Sequence, residues 1–263
     1  MKKISFWTIF LCFVFVPIGL LILQSFTAPG SLTEPSMNGW TGLFERRRLV
    51  EATLTSLVIG AFVVLFNIVI GMSAGKALAL YRFQGKDILD TLLLMPILLP
   101  LLAITFGVHI AMIRIGLADT AAGVILIHLV PTVPYSIKIF RNGYVSLGGK
   151  ILEQAEMLGA SAGRTFLDIE LPLLRAPIQS VVFLTFVISL SQYVITAIIG
   201  GGTVVTLAMV YFPFLESANT TLVAAFSLWF ALLPLSFYLF AEGLIRLLPY
   251  QRRRRRRTHD LFY

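Results

Sequence analysis

Few residues in this chain have the type and spacing that chemistry requires. The run Gly71-Met72-Ser73-Ala74-Gly75-Lys76 comes nearest to a phosphate-binding loop. Such a loop wants one more residue between its glycines, and Ser or Thr after the lysine to reach Mg²⁺. Here Ala77 follows, and the run lies at the end of an apolar stretch. The run is therefore not read as a nucleotide-hydrolysis site. His109 and His128 stand alone in apolar surroundings, and His259 lies near the C-terminus. Cys12 is the single cysteine, so neither an intrachain disulfide nor a cysteine metal cluster can form. No Ser-His-Asp set and no metal-ligand spacing is present, so no catalytic residue, metal or cofactor is expected in this chain.

Other polar residues have spacing suited to handling a solute. Thr185, Ser189, Gln192 and Thr196 recur at steps of four, three and four, with Tyr193 beside them. At helical spacing they share one face. Polar groups inside an apolar helix face protein or water rather than lipid, so lining of a path and packing between helices both remain open for this face. Ser56, Gly60, Asn67 and Gly71 form a second stripe, where the glycines favour close helix packing. His128, Thr132 and Tyr135 form a third, with Pro131 and Pro134 disturbing its backbone; His128 reads as a packed, hydrogen-bonded residue. No carboxylate lies deep in an apolar stretch, since Asp90, Asp119, Glu216 and Glu242 all fall near ends. A proton- or sodium-coupled carrier usually needs one there. A membrane-embedded enzyme would need a catalytic cluster at one interface, and none is seen.

The elements that carry these residues are membrane helices. Of 263 residues, 57% are hydrophobic and 13% charged, about half the charged fraction of a soluble domain. A helix crosses the hydrocarbon core in about 20 apolar residues. That rule gives six spans, at about 4–26, 52–76, 90–113, 119–140, 177–199 and 220–245, in one transmembrane domain covering 1–263. The fifth ends near Gly200-Gly201-Gly202, and 203–215 is too short to cross and reads as an interfacial or re-entrant segment. Lys2 and Lys3 before an apolar run resemble a secretory leader. The run is longer than a usual leader core and no small-x-small site follows, so it is read as a retained first helix.

Lys and Arg set the orientation. With six spans, 17 of them fall on the side of both termini and only Arg46, Arg47, Arg48 and Arg114 on the other. Both termini are therefore expected in the cytoplasm. The net charge of +8 is mainly this topology signal rather than a nucleic-acid footprint, and the 246–263 tail with Arg252–Arg257 reads as solvated near anionic headgroups. The 27–50 connection is polar and turn-rich; its arginines read as an exposed entry to the second helix or, more sharply, as a contact to an acidic external partner.

The connection over 141–177 differs from the rest. Ile151, Leu152, Ala155 and Leu158 give a helix one apolar face. Gly159 ends it, and Ser161 is placed to cap a second short helix over 161–166. Pro172 and Pro177 bracket the return to the membrane. Two short helices around a glycine turn make a rigid protrusion whose apolar stripe asks for a partner.

The run Glu153-Gln154-Ala155, three residues, Gly159, nine residues, Ile169, one residue, Leu171-Pro172 resembles the EAA loop of binding-protein-dependent ABC importer permeases, of the polyamine, iron and thiamine type. Gln154 is the one departure, standing where the family usually has alanine. The resemblance implies the all-helical type I importer permease fold, in a dimer with an identical or homologous permease. It implies that Glu153, Gln154, Ala155, Leu158, Gly159, Ala160, Ile169, Leu171 and Pro172 couple the chain to two ABC ATPase subunits. Those subunits would bind ATP and Mg²⁺, and an extracytoplasmic binding protein would deliver a small polar solute of the polyamine, iron, thiamine or phosphonate class. The implied location is a bacterial inner membrane.

Overall fold

A computed structural model describes residues 2–31, 33–93, 95–98 and 100–247. Arg252–Arg257 and the rest of the basic tail beyond 247 lie outside the described residues. The chain is all-helical, and among the described residues the only β pairing is an isolated bridge between Thr27 and Pro35.

Helix α1 runs Lys2–Ser25 and α2 runs Asn38–Phe44 within the connection that follows. The long helix α3, Arg47–Leu80, extends the expected second span at both ends. The stretch expected as a single third span is instead three pieces, α4 Lys86–Leu92, α5 Met95–Leu98 and α6 Leu101–Arg114. The reason is proline chemistry: Pro96 and Pro100 have no N–H to donate to the carbonyl four residues before them, and their rings crowd that carbonyl. Pro100 itself takes ψ 115° and starts α6. Helix α7, Ala121–Leu147, begins with the Thr120 hydroxyl accepting from the Gly123 N–H and continues through Pro131 and Pro134.

After α7 come α8 Gly149–Met157, α9 Ala162–Thr165, a π turn Phe166–Glu170 and α10 Leu171–Leu173. The expected fifth span is then two helices, α11 Arg175–Leu190 and α12 Tyr193–Gly200. Helix α13, Leu207–Phe214, is short, and α14 spans Thr220–Leu247. Among the described residues, three continuous helices, within α3, α7 and α14, are long and apolar enough to cross a membrane. A fourth crossing is counted if the 162–173 stretch and α11, bent by 70°, are one span. Among the described residues, continuous helices thus account for three or four of the six expected spans.

The chain divides into two compact units. The smaller holds 1–56 and 205–233. Its core is aromatic: Phe44 meets Trp229 edge-on at 5.1 Å, and Tyr211 stacks on Phe230 at 4.7 Å. The Ser56 hydroxyl accepts the Leu207 N–H at 2.7 Å, satisfying the first turn of α13. The larger unit holds 57–204 and 234–263. Ile59 and Val63 of α3, Val124 and Ile127 of α7, and Ile195 and Ile199 of α12 are buried together. Helix α11 lies along α7. Glycine permits α3 and α7 to approach closely, because a Cβ on Gly75 would come within 2.8 Å of the Arg141 backbone nitrogen and the Phe140 Cβ.

Candidate functional site

Two constellations in the larger unit concern the residues singled out above. The first is the protrusion between α7 and α11. Helix α8 closes in a Schellman motif: the Gly159 N–H donates to Glu156 O at 2.9 Å and the Ala160 N–H to Ala155 O at 3.0 Å. Gly159 holds φ +79°, left-handed backbone natural to glycine. A Cβ there would meet nothing within 4 Å, so its neighbours in this chain leave room for a side chain. Ala155 is buried, while Glu153 and Gln154 are exposed. Met157 and Leu158 stand 80% and 87% exposed, which leaves two large apolar side chains at the tip without cover from this chain.

Ser161 does not cap the following helix through its side chain. Its backbone is extended as a cap requires, but no side-chain capping bond forms; its carbonyl accepts the Thr165 N–H at 2.9 Å. The expected short helix over 161–166 also does not stop there. It widens into the π turn, in which the Leu171 N–H reaches back to Phe166 O. Pro172 explains the widening, because it has no N–H and crowds the carbonyl four residues before it. Ile169, Leu171 and Pro172 are half-buried at this return.

The π turn carries Glu170, which sequence reasoning missed. Glu170 is 2% exposed. Lys76 Nζ of α3 lies 2.6 Å from its Oε1, and Tyr144 Oη of α7 donates to Oε2 at 2.6 Å. Lys76 Nζ also stands 6.0 Å from the Tyr144 ring centre. Both carboxylate oxygens thus have a donor, and one side chain of the protrusion is tied to two long helices. The signal available in sequence was a lone carboxylate between Ile169 and Leu171, but nothing there named Lys76 as its partner. A second tie lies at the base of α11, where Glu242 of α14 accepts from Arg175, Gln179 and Arg246. Arg141 pairs with Asp90 at 2.8 Å.

The second constellation surrounds the interruption between α11 and α12. Thr185, Ser189, Gln192 and Thr196 are not on one continuous helix. Gln192, with φ −78° and ψ 77°, is the centre of an inverse γ-turn, closed by the Tyr193 N–H donating to Ser191 O at 2.9 Å. His128 bridges the break: Nδ1 lies 2.9 Å from Ser189 Oγ, before it, and Nε2 lies 2.9 Å from Thr196 Oγ1, beyond it. The Thr196 proton goes to the Gln192 carbonyl, so in the neutral ring Nε2–H donates to Thr196 and Nδ1 accepts from Ser189. Asn67 of α3 joins through Nδ2, 2.8 Å from Thr132 Oγ1, which donates to the His128 carbonyl at 2.8 Å. Thr185 is buried and donates to Val181 O at 2.7 Å. Gln192 and Tyr193 remain half-buried at the break.

This network makes His128 a staple. Replacing it with alanine removes both bridging bonds and opens a cavity, at an expected cost of roughly 2–5 kcal/mol. The thermal midpoint of the purified His128→Ala protein should fall accordingly; an unchanged midpoint would show that the break holds without the ring.

Residues 67–248 match the family of binding-protein-dependent transport system inner membrane components. A molybdate/tungstate transport system permease protein of Methanocaldococcus jannaschii is 28% identical over 193 residues, covering 70% of this chain and 74% of the relative. A spermidine/putrescine transport system permease protein of Haemophilus influenzae is 25% identical and covers 92% of this chain and 95% of the relative. Among solved structures, a bacterial ABC transporter involved in import of the acidic polysaccharide alginate superposes with TM-score 0.73 at 14% identity, covering 92% of this chain and 94% of that one. The same type of transporter in complex with an alginate pentasaccharide-bound periplasmic protein gives TM-score 0.70 at 14% identity, covering 93% and 92%. The fold is that of ABC importer permeases.

Proposed function

This chain belongs to the family of binding-protein-dependent transport system inner membrane components, a non-catalytic permease component of an ABC transporter, and from that premise we propose that it couples solute import to a separate ATPase through its α8–α10 protrusion. The observation that carries this reading is the pairing of an uncovered apolar tip, Met157 and Leu158, with a buried anchor, Glu170. A tip without cover needs a partner surface. An anchor on two long helices passes the partner's movement into the membrane.

The mechanism is a population shift. ATPase closure displaces the protrusion, and Glu170 pulls on α3 through Lys76 and on α7 through Tyr144. To invert the inward and outward populations, the ATPases must favour one state by about 5 kcal/mol. In this reading the permease makes six crossings, the broken stretches included, and keeps both termini in the cytoplasm. Two permease chains and two ATPases make the assembly, and the ATPases bind ATP and Mg²⁺.

The solute path passes the break at Gln192. Non-helical backbone at membrane depth survives where protein buries it or water reaches it, and discontinuous helices mark binding sites near the midplane of other transporters. Gln192 and Tyr193 face the solute, while Thr185, Ser189, Thr196, Asn67 and His128 hold the break in shape. The solute is small and polar; relatives named for polyamine and for molybdate/tungstate transport bracket opposite charges. A binding protein outside the membrane delivers it, as the periplasmic protein in the alginate complex suggests. The reading is tested by retention of an ATPase subunit on the purified chain.

A further inference from the structure

Arg46, Arg47 and Arg48 take no part in coupling, and they carry two electrostatic costs. Three cations at the start of α3 oppose its dipole, and they lie at the end of the chain's longest apolar helix against the charge bias of the other loops. Arg47 is paired with Glu51 at 2.8 Å in an exposed contact. Among the described residues Arg46 and Arg48 meet no carboxylate.

All three line a cavity of about 480 Å³ in the smaller unit, and its lining contains no acid. Its other wall is hydrocarbon, with Met209, Val210 and Phe214 of α13 and Phe226 of α14. The Arg46 guanidinium sits 5.1 Å over the Phe214 ring, which positions the charge without neutralising it. A free anion would use the guanidiniums and gain nothing from the apolar wall. A wholly apolar ligand would leave the charges unanswered. An amphipath with an anionic head answers both, and guanidinium suits the phosphate oxygens geometrically.

We propose that this cavity holds an anionic phospholipid, its phosphate on Arg46 and Arg48 and its upper acyl chain against the α13 face. The site requires only that α3 crosses the bilayer, so it stands or falls apart from the coupling reading. Basic residues at the headgroup level each contribute measurably to such binding.

The test is native mass spectrometry of the full chain released from nanodiscs of mixed phosphatidylglycerol and phosphatidylcholine. Wild type should retain phosphatidylglycerol about thirtyfold better than the Arg46→Gln/Arg48→Gln variant, given the attraction per basic residue, with phosphatidylcholine retention equal. Val210→Trp, which fills the wall and keeps the arginines, should lose the same lipid. It carries the test if the arginine variant does not fold. In phosphatidylcholine nanodiscs, added phosphatidylglycerol should raise the wild-type melting temperature while millimolar inorganic phosphate leaves it unchanged. Equal phosphatidylglycerol retention by wild type and both variants overturns the proposal. So does stabilisation by inorganic phosphate alone, which would make this a free oxyanion site. Loss of only an external protein's attachment in the arginine variant would make it a docking surface and overturn it too.

Discussion

Replacing Gly159 with tryptophan is expected to abolish ATP-driven uptake, by more than about tenfold, while leaving a folded, inserted chain. Left-handed backbone costs a non-glycine residue roughly 1–2 kcal/mol, small beside the 5–15 kcal/mol that folded proteins typically hold. A Cβ at 159 would meet nothing within 4 Å beyond its chain neighbours. The added bulk therefore projects from the tip, beside Leu158, into the space a partner would fill. Gly159→Ala supplies the control, because it carries the same backbone strain with little bulk. Uptake assayed in proteoliposomes with the ATPase and binding protein present should survive in the alanine variant and fail in the tryptophan one. Equal loss in both would assign the effect to the backbone. Full uptake in both would remove the tip from the coupling path.

The second large effect is expected at Glu170. Removing one partner of a buried ion pair leaves the other charge without compensation, at about 3–5 kcal/mol. For a chain of this size that lowers the melting temperature by on the order of 10 °C. Lys76→Met should show it, because Glu170 is the buried partner; Glu170→Ala leaves only Lys76, whose side chain is 34% exposed, and should cost less. The double variant Lys76→Met/Glu170→Met should recover much of the loss, since apolar pairs of similar volume often replace buried ion pairs without penalty. Recovered stability without recovered uptake would mean that the link transmits motion. Recovery of both would mean that it serves the fold alone. Tyr144→Phe, which removes only the donor to Oε2, should have a smaller effect.

What was legible in the sequence followed period and composition. The apolar runs of α3, α7 and α14 are long enough to be read as helices without any tertiary information, and the protrusion announced itself through Gly159, Pro172 and Pro177. The break at Gln192 was not legible, because no glycine or proline marks it. It exists where His128, distant in sequence, supplies hydrogen bonds to both sides. The pieces in place of a third span were legible in principle from Pro96 and Pro100, and length alone obscured them. Long-range pairing was the largest blind spot. Lys76, Arg141, Arg175 and Arg246 count as topology charges in sequence, yet each meets a carboxylate in the fold. The positive bias is thus partly the price of anchoring α11, α14 and the protrusion.

The most direct measurement is extraction of this chain from native membranes in mild detergent, followed by mass spectrometry of whatever accompanies it. The account predicts an ATPase subunit retained by the wild-type chain and lost from the Gly159→Trp variant, with the folded chain recovered in equal yield. A chain that purifies without any ATPase across several mild detergents, or one that keeps its ATPase with tryptophan at the tip, would contradict it.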